Sequence, residues 1–208
     1  MHPNPIFRTQ TFDRNIIFAR ERAFGVLAVN GADGPLLAHV PVLVDETGSF
    51  VDIHLVRSNP IARALKASAQ AKIAISGPDS YISPDWYDVP DQVPTWNYVA
   101  VHLTGTLERL PQEQMRDMLD RQSAHFEDQL LPKTPWKTTK MTPEVLDSMM
   151  RQIAPFRMTI EGVDGTWKLN QNKPDEVRLR AADHADAYGM GSETAILSAL
   201  MRGADGQP

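Results

Sequence analysis

The sequence predicts an α+β fold with a small antiparallel β-barrel at its core. Three observations carry this. Between residues 25 and 110, several runs alternate apolar and polar side chains, the period of half-buried strands. Turns rich in Gly, Pro and Asn separate those runs. Helical patterns gather at the start of the chain, between about 111 and 153, and after Asp175, so helices flank the strands.

Taken in order, an amphipathic helix starts near Asp13, a candidate N-cap, and carries Ile16, Ile17, Arg20 and Phe24 at helical spacing. Gly25–Asn30 reads as a buried strand, and Gly31, Asp33 and Gly34 as a turn. Leu36–Asp45 reads as one strand, with Leu36, Ala38, Val40, Val42 and Val44 on one face and His39 and Pro41 on the other. Glu46, Thr47 and Gly48 turn the chain into a strand over Ser49–Val56. There Val51, Ile53 and Leu55 share one face, and Asp52 and His54 the other. Asn59 caps a short helix that begins at Pro60 and runs through Ala62, Leu65 and Ala69. Lys72–Ser76 is a fourth strand, and Gly77–Thr95 a long loop. Loops of that length inside a compact domain are usually functional or form interfaces. Asn97–Leu110 is the longest strand, with Tyr98, His102 and Thr104 opposite Val99, Val101 and Leu103. A charged helix runs from Pro111 to about Leu131, and a second follows Thr142 and Pro143. Met115, Met118, Met149 and Met150, at helical spacings, read as core. Phe156–Ile160 and Thr166–Asn170 are the last strands, joined by a Gly-containing turn. The chain is helical from Asp175 to about 203 and ends in a loose tail of Gly203, Ala204, Asp205 and Gly206. The 208 residues read as a single domain.

Composition narrows the chemistry. The chain has no cysteine, which removes disulfides, thiolate nucleophiles and Cys-ligated metals. No His-x-x-x-His pair and no Gly-x-Ser-x-Gly turn occurs, so spacing supports neither a metal site nor a serine nucleophile. The net charge of −5 and the thin basic cluster at Lys133, Lys137 and Lys140 argue against direct nucleic-acid binding. No segment is long and apolar enough to span a membrane, and the first ten residues lack the apolar core of a secretory signal. The expected location is the cytoplasm.

Three stretches carry chemistry. In His54–Pro60 a strand runs into a helix N-terminus through a turn containing Arg57 and Ser58. Such a turn suits a phosphate, though a plain helix cap with an exposed Arg is the competing reading. In Val93–Tyr98 polar and aromatic groups crowd a loop–strand junction, where a planar ring could stack or an aromatic cluster could close a barrel. In Gly165–Asn172, Lys168, Asn170 and Asn172 alternate on one face, as a ligand-facing edge or a solvated one.

Five runs then occur in order: Ala38–Pro41, His54–Pro60, Gly77–Tyr87, Val93–His102 and Trp167–Asn172. With them, and above all with Tyr-Ile-Ser-Pro-Asp-Trp-Tyr and Val-Pro-Thr-Trp-Asn-Tyr, the chain resembles the PaiB-type FMN-binding family, whose members are often labelled negative transcriptional regulators. The likeness runs from about Pro5 to Arg202. It departs from the family pattern at Val56, Ser58, Thr166, Asn170 and Ile153–Phe156. The resemblance implies an FMN-binding split β-barrel, a six-stranded antiparallel Greek-key barrel similar in fold to pyridoxamine-phosphate oxidases. It also implies a homodimer with the flavin at the interface. Arg57, Ser58 and Asn59 would take the phosphate, and Ala38, His39, Val40 and Pro41 the isoalloxazine edge. Trp96, Asn97, Lys168, Asn170 and Gln171 would surround the ring or ribityl chain, some from the partner. His39, His54 and His102 lie opposite the apolar faces of their strands and point to that same side.

The expected function is therefore a flavin-dependent oxidoreductase or flavin carrier with an indirect regulatory role. The alternatives are a repressor acting through DNA or a partner protein, and a haem-handling split barrel. No residue stands out as a catalytic acid or base.

Overall fold

The computed structural model describes residues 1–65 and 67–204. Of the expected tail, Asp205 and Gly206 lie outside these residues, as does Lys66 in the stretch read as the second helix. The fold is α+β. Helix α1 (Phe12–Arg22) leads into strands β1 (Phe24–Gly31), β2 (Gly34–Pro41), β3 (Leu43–Val44) and β4 (Phe50–Val56). Helix α2 (Pro60–Ala64) precedes β5 (Ser68–Ile82) and β6 (Thr95–Arg109). Helices α3 (Met115–Asp128) and α4 (Pro143–Met150), strand β7 (Ile153–Lys168), and helices α5 (Asp175–Tyr188) and α6 (Thr194–Arg202) complete the order.

The strands lie in the order β2-β1-β5-β6-β7-β4-β3. The β1–β2, β1–β5, β3–β4 and β4–β7 ladders are antiparallel. The chain separates into two compact units. One holds residues 16–75 and 103–163; the other holds 1–15, 76–102 and 164 onward. Strands β5, β6 and β7 each contribute a length to both.

In the 16–75/103–163 unit the sheet closes. Strands β2 and β3 stand at opposite ends of the order, yet only Val42 separates them in the chain. Residues two apart span at most about 7 Å, so the two edges meet there. Val42 is buried, and its N–H donates to the Ala23 carbonyl at 2.9 Å. This closure explains why the expected single strand over Leu36–Asp45 is two strands, and why seven are seen rather than six. Val29, Ala38, Val40, Val51, Ile53, Ile73, Ile75, Leu103, Phe156 and Met158 fill the interior, as the period-2 patterns require. Gly105 sits where β6 meets β7: a Cβ there would lie 1.8 Å from the Thr159 carbonyl oxygen.

The other unit is a short three-stranded piece with α5 and α6. Ala181, Ala182, Ala185, Leu197 and Met201 are buried between these helices, and the Ser198 hydroxyl donates to the Ala182 carbonyl at 2.6 Å.

Several expectations are corrected. The cap of α1 is Thr11, whose Oγ1 accepts from the Arg14 N–H; Asp13 lies in the first turn. The helix stops before Ala23 (φ 49°), so Phe24 opens β1. Helix α2 ends at Ala64, short of Ala69. The fourth strand does not stop at Ser76. It continues through Gly77 and Pro78 to Ile82 because Asp79 and Tyr81 donate their N–H groups to the carbonyls of Ser192 and Met190, far along the chain. The long loop thus shrinks to 83–94, with a tight turn over Pro84–Tyr87. The last two predicted strands are one, β7, running straight through Gly162 and Gly165. Gly165 marks a close approach rather than a turn, since a Cβ would sit 2.0 Å from Asn15 Oδ1. Met115 and Met118 are core as expected, but Met149 is 54% exposed.

Candidate functional site

Eight of the fourteen predicted site residues fall in the barrel unit and six in the other, so each set is described by itself. In the barrel unit, β4 carries His54 to the turn at Arg57. The Arg57 N–H donates to the Gln152 carbonyl at 2.9 Å. Its Nε donates to the Arg151 carbonyl at 2.7 Å, and Nη2 to Gln112 Oε1 at 2.5 Å. Among the described residues no carboxylate pairs with Arg57. The guanidinium is thus fixed, yet its charge is not neutralised.

The helix end beside it contributes less than the sequence promised. Helix α2 has five residues, Pro60 has no N–H, and Asn59 Oδ1 takes the Ile61 N–H at 2.9 Å. The Asn59 carbonyl accepts from Arg63. The first-turn donors are largely spent, so an anion here would be held by Arg57 and Ser58. The Asn59 side chain is occupied as a cap.

On β2, Ala38 and Val40 turn inward and are buried, whereas His39 is exposed and stacks on Phe24 with centroids 6.4 Å apart. Only the backbone of Ala38 and Val40 can face a ligand. Pro41 accepts from Gln122 Nε2 at 3.3 Å through its carbonyl. Burial pushes the His54 imidazole below its usual value, and a side-chain hydrogen bond with Gln122 opposes this. His54 Nδ1 is buried without a partner. Asp52, expected beside His54 on the outward face, is fully buried. It is gripped by Arg157 at 2.7 and 2.9 Å and by Arg121 at 2.8 Å.

In the second unit, Trp96 is exposed, with Tyr81 edge-on at 6.3 Å. Asn97 points the other way. It is 0% exposed, with Nδ2 on the Met201 sulfur at 3.5 Å and Oδ1 unpartnered. His102 lies on the Trp96 face. Lys168 Nζ donates to Thr95 Oγ1 and lies 5.8 Å from the Phe7 ring. Burial lowers the Lys168 ammonium below its ordinary value. The expected alternation past Lys168 does not occur. Strand β7 ends there, and Asn170 is left-handed (φ 61°) and buried. Its Oδ1 accepts from the Tyr87 hydroxyl at 3.4 Å, and its Nδ2 has no partner. Gln171 is consumed by the turn: Oε1 accepts from Leu169, and Nε2 donates to the Ile6 and Trp167 carbonyls.

Sequence reasoning missed Gln112, Gln122 and Thr95. Thr95 lies in the Val93–Tyr98 run but carries no assigned role there, and no pattern marks Gln112 or Gln122, because each matters through a partner dozens of residues away. Among the described residues there is no metal-holding cluster, and no helix is long and apolar enough to cross a membrane.

Residues 1–162 match the family described as "Putative FMN-binding domain". Lys168, Asn170 and Gln171 lie beyond that match. The chain is 28% identical over 162 residues to a Bacillus subtilis protein named "Protease synthase and sporulation protein PAI 2", covering 75% of each. Its fold is similar to that of the FAD and heme binding protein from Mycobacterium smegmatis, with TM-score 0.58 and 14% identity over 89% of this chain and 82% of that one. The flavocytochrome Anf3 from Azotobacter vinelandii is similar at TM-score 0.51 and 13% identity, over 76% and 68%. At such identities the likeness establishes the split-barrel fold.

Proposed function

The chain belongs to the "Putative FMN-binding domain" family, with flavin as its cofactor, and we propose that it is an FMN-carrying oxidoreductase or flavin carrier. The observation that carries this is Arg57, an arginine fixed at a strand end by neutral oxygens alone. An un-neutralised guanidinium with free N–H groups is a receptor for a phosphate. The phosphate would rest on Arg57 and Ser58. The ring would meet the backbone of Ala38–Pro41, with His39 and His54 beside it; taken by itself, the other unit offers Trp96, His102 and Lys168 as flavin contacts. Asn97 would support the strand that carries Trp96 rather than touch the flavin. The donor set of the barrel unit fits a flavin: Arg57, a cation that no carboxylate pairs among the described residues, and a buried polar atom left unpaired at His54. FMN supplies the redox chemistry of its ring when bound. Any regulatory role would act through flavin state or a partner protein.

The working unit is proposed to be a homodimer. On β1 and β2, Phe24 (55% exposed) and Leu37 (60% exposed) stand outward beside His39, an apolar surface of the kind that self-association covers. The decisive experiment is the absorption spectrum of protein purified without added cofactor, followed by titrations with FMN and riboflavin. A flavin spectrum and a preference for FMN are expected. A haem spectrum, or equal affinity for the two flavins, would overturn the reading. Light scattering that gave a monomer mass at micromolar concentration would remove the dimer.

A further inference from the structure

We propose that Gln112 is a positioning residue for the flavin phosphate: it orients the Arg57 guanidinium without neutralising it. This rests on the phosphate role given to Arg57 above.

The Gln112 amide is fully committed. Nε2 donates to the Met150 carbonyl at 3.0 Å and to the Ile153 carbonyl at 3.2 Å. Oε1 accepts from Arg57 Nη2 at 2.5 Å. Two carbonyls at one end and a guanidinium at the other fix which way the amide points, since the reverse orientation would set oxygen against oxygen and donor against donor. Those carbonyls belong to the last turn of α4 and the first residue of β7, so the amide is anchored to backbone on both sides. Arg57 Nε is held in turn by the Arg151 carbonyl, which lies between them in sequence. The guanidinium is therefore clamped through Nε and one Nη2 hydrogen, and its other donors have no partner among the described residues.

The chemistry of the clamp matters as much as its geometry. A carboxylate at position 112 would set an oxygen against the Met150 and Ile153 carbonyls, and it would also cancel the charge of Arg57 and compete with the phosphate. An apolar side chain would leave the charge but release the fork, and the ligand would then have to order it. A neutral amide avoids both losses. Gln112 thereby becomes a determinant of the choice between FMN and riboflavin, which differ only by the phosphate.

The test is a set of flavin titrations on Gln112→Met, Gln112→Glu, Arg57→Ala and the Arg57→Ala/Gln112→Met double variant, with thermal stability of each protein without flavin as the folding control. Gln112→Met is expected to weaken FMN about 3- to 10-fold, the worth of one hydrogen bond, and to leave riboflavin unchanged. Gln112→Glu is expected to weaken FMN more than Gln112→Met does, again sparing riboflavin. The double variant is expected to bind FMN no more weakly than Arg57→Ala, because Gln112 acts only through Arg57. Multiplying effects in the double variant, or equal losses of FMN and riboflavin in Gln112→Met, would overturn the proposal while leaving the Arg57 reading intact. Unchanged FMN affinity in Arg57→Ala would overturn both.

Discussion

Strand β4 delivers arginine chemistry to two places, and the two are opposites. In its middle, the buried Asp52 carboxylate is gripped by Arg157 and Arg121, and Arg157 also lies over the Phe50 ring at 3.8 Å. Just past its end, Arg57 meets only an amide oxygen and a carbonyl. In the first place the positive charges have an internal counterion, and their work is to fasten α3 and β7 to β4. In the second the charge is held still and left unanswered. The lesson is that the partner of an arginine, rather than its exposure or its neighbours in sequence, separates a structural arginine from one available to a ligand.

The contrast breaks most severely at Asp52. Asp52→Ala would leave the Arg157 guanidinium facing a buried site without its carboxylate, while Arg121 would keep Asp117 at 2.8 Å. The expected loss is about 3 kcal/mol of unfolding free energy, toward the low end for a broken buried pair because both arginines keep contact with solvent. Urea unfolding would measure it. The ratio of FMN to riboflavin affinity should stay as in the unmodified protein; if that ratio fell, Asp52 would belong to the ligand site.

Arg57→Ala should do the reverse. One hydrogen bond to a charged group is worth about 1.5–3 kcal/mol, so FMN should bind about 10- to 150-fold more weakly. Riboflavin affinity should hardly move, and stability should drop by no more than about 1 kcal/mol, the worth of the exposed bonds to Gln112 and Arg151. Fluorescence-quenching titrations of both flavins decide this, and a loss shared equally by the two would break the assignment.

Lys168 sharpens the comparison from the other unit. Among the described residues its hydrogen-bond partner too is a neutral oxygen, Thr95 Oγ1, but burial pushes its ammonium toward deprotonation. If it touches the flavin, affinity should fall as pH rises through its lowered value, and Lys168→Met should flatten that dependence. A few-fold effect, common to FMN and riboflavin, is expected. An unaltered pH profile in Lys168→Met would remove Lys168 from the site.

The smallest effect concerns His54. Its burial holds the imidazole below 6.5 in the folded chain, so the unfolded chain takes up the proton first. Above that value both states are neutral and His54 adds no pH dependence. As pH falls below it, stability should decline, and His54→Gln should decline less steeply. Parallel unfolding midpoints from pH 7.5 to 5 would show whether the slope belongs to His54.

Much of this was legible in the chain. Alternation alone gave the faces of β2, β4 and β6, and with them the outward sides of His39, His54 and His102. Asn59 followed by Pro60 announced its cap, and the spacing of Met115 and Met118 announced core. These features follow from neighbours within a turn or a pleat, so the local sequence determines them. Tertiary structure decided the rest. Strand β5 passes Pro78 because carbonyls at 190 and 192 receive its N–H groups. Strand β7 passes Gly165 because an asparagine 150 positions earlier needs the space. Val42 splits a strand because the sheet closes there. Arg57 reads in sequence as a cation in a turn. Its meaning comes from Gln112, 55 residues away, and Arg151, 94 away. A side chain's charge is written in its own residue, but its counterion is chosen by the fold, since hydrogen bonds act over about 3 Å of space whatever the separation along the chain.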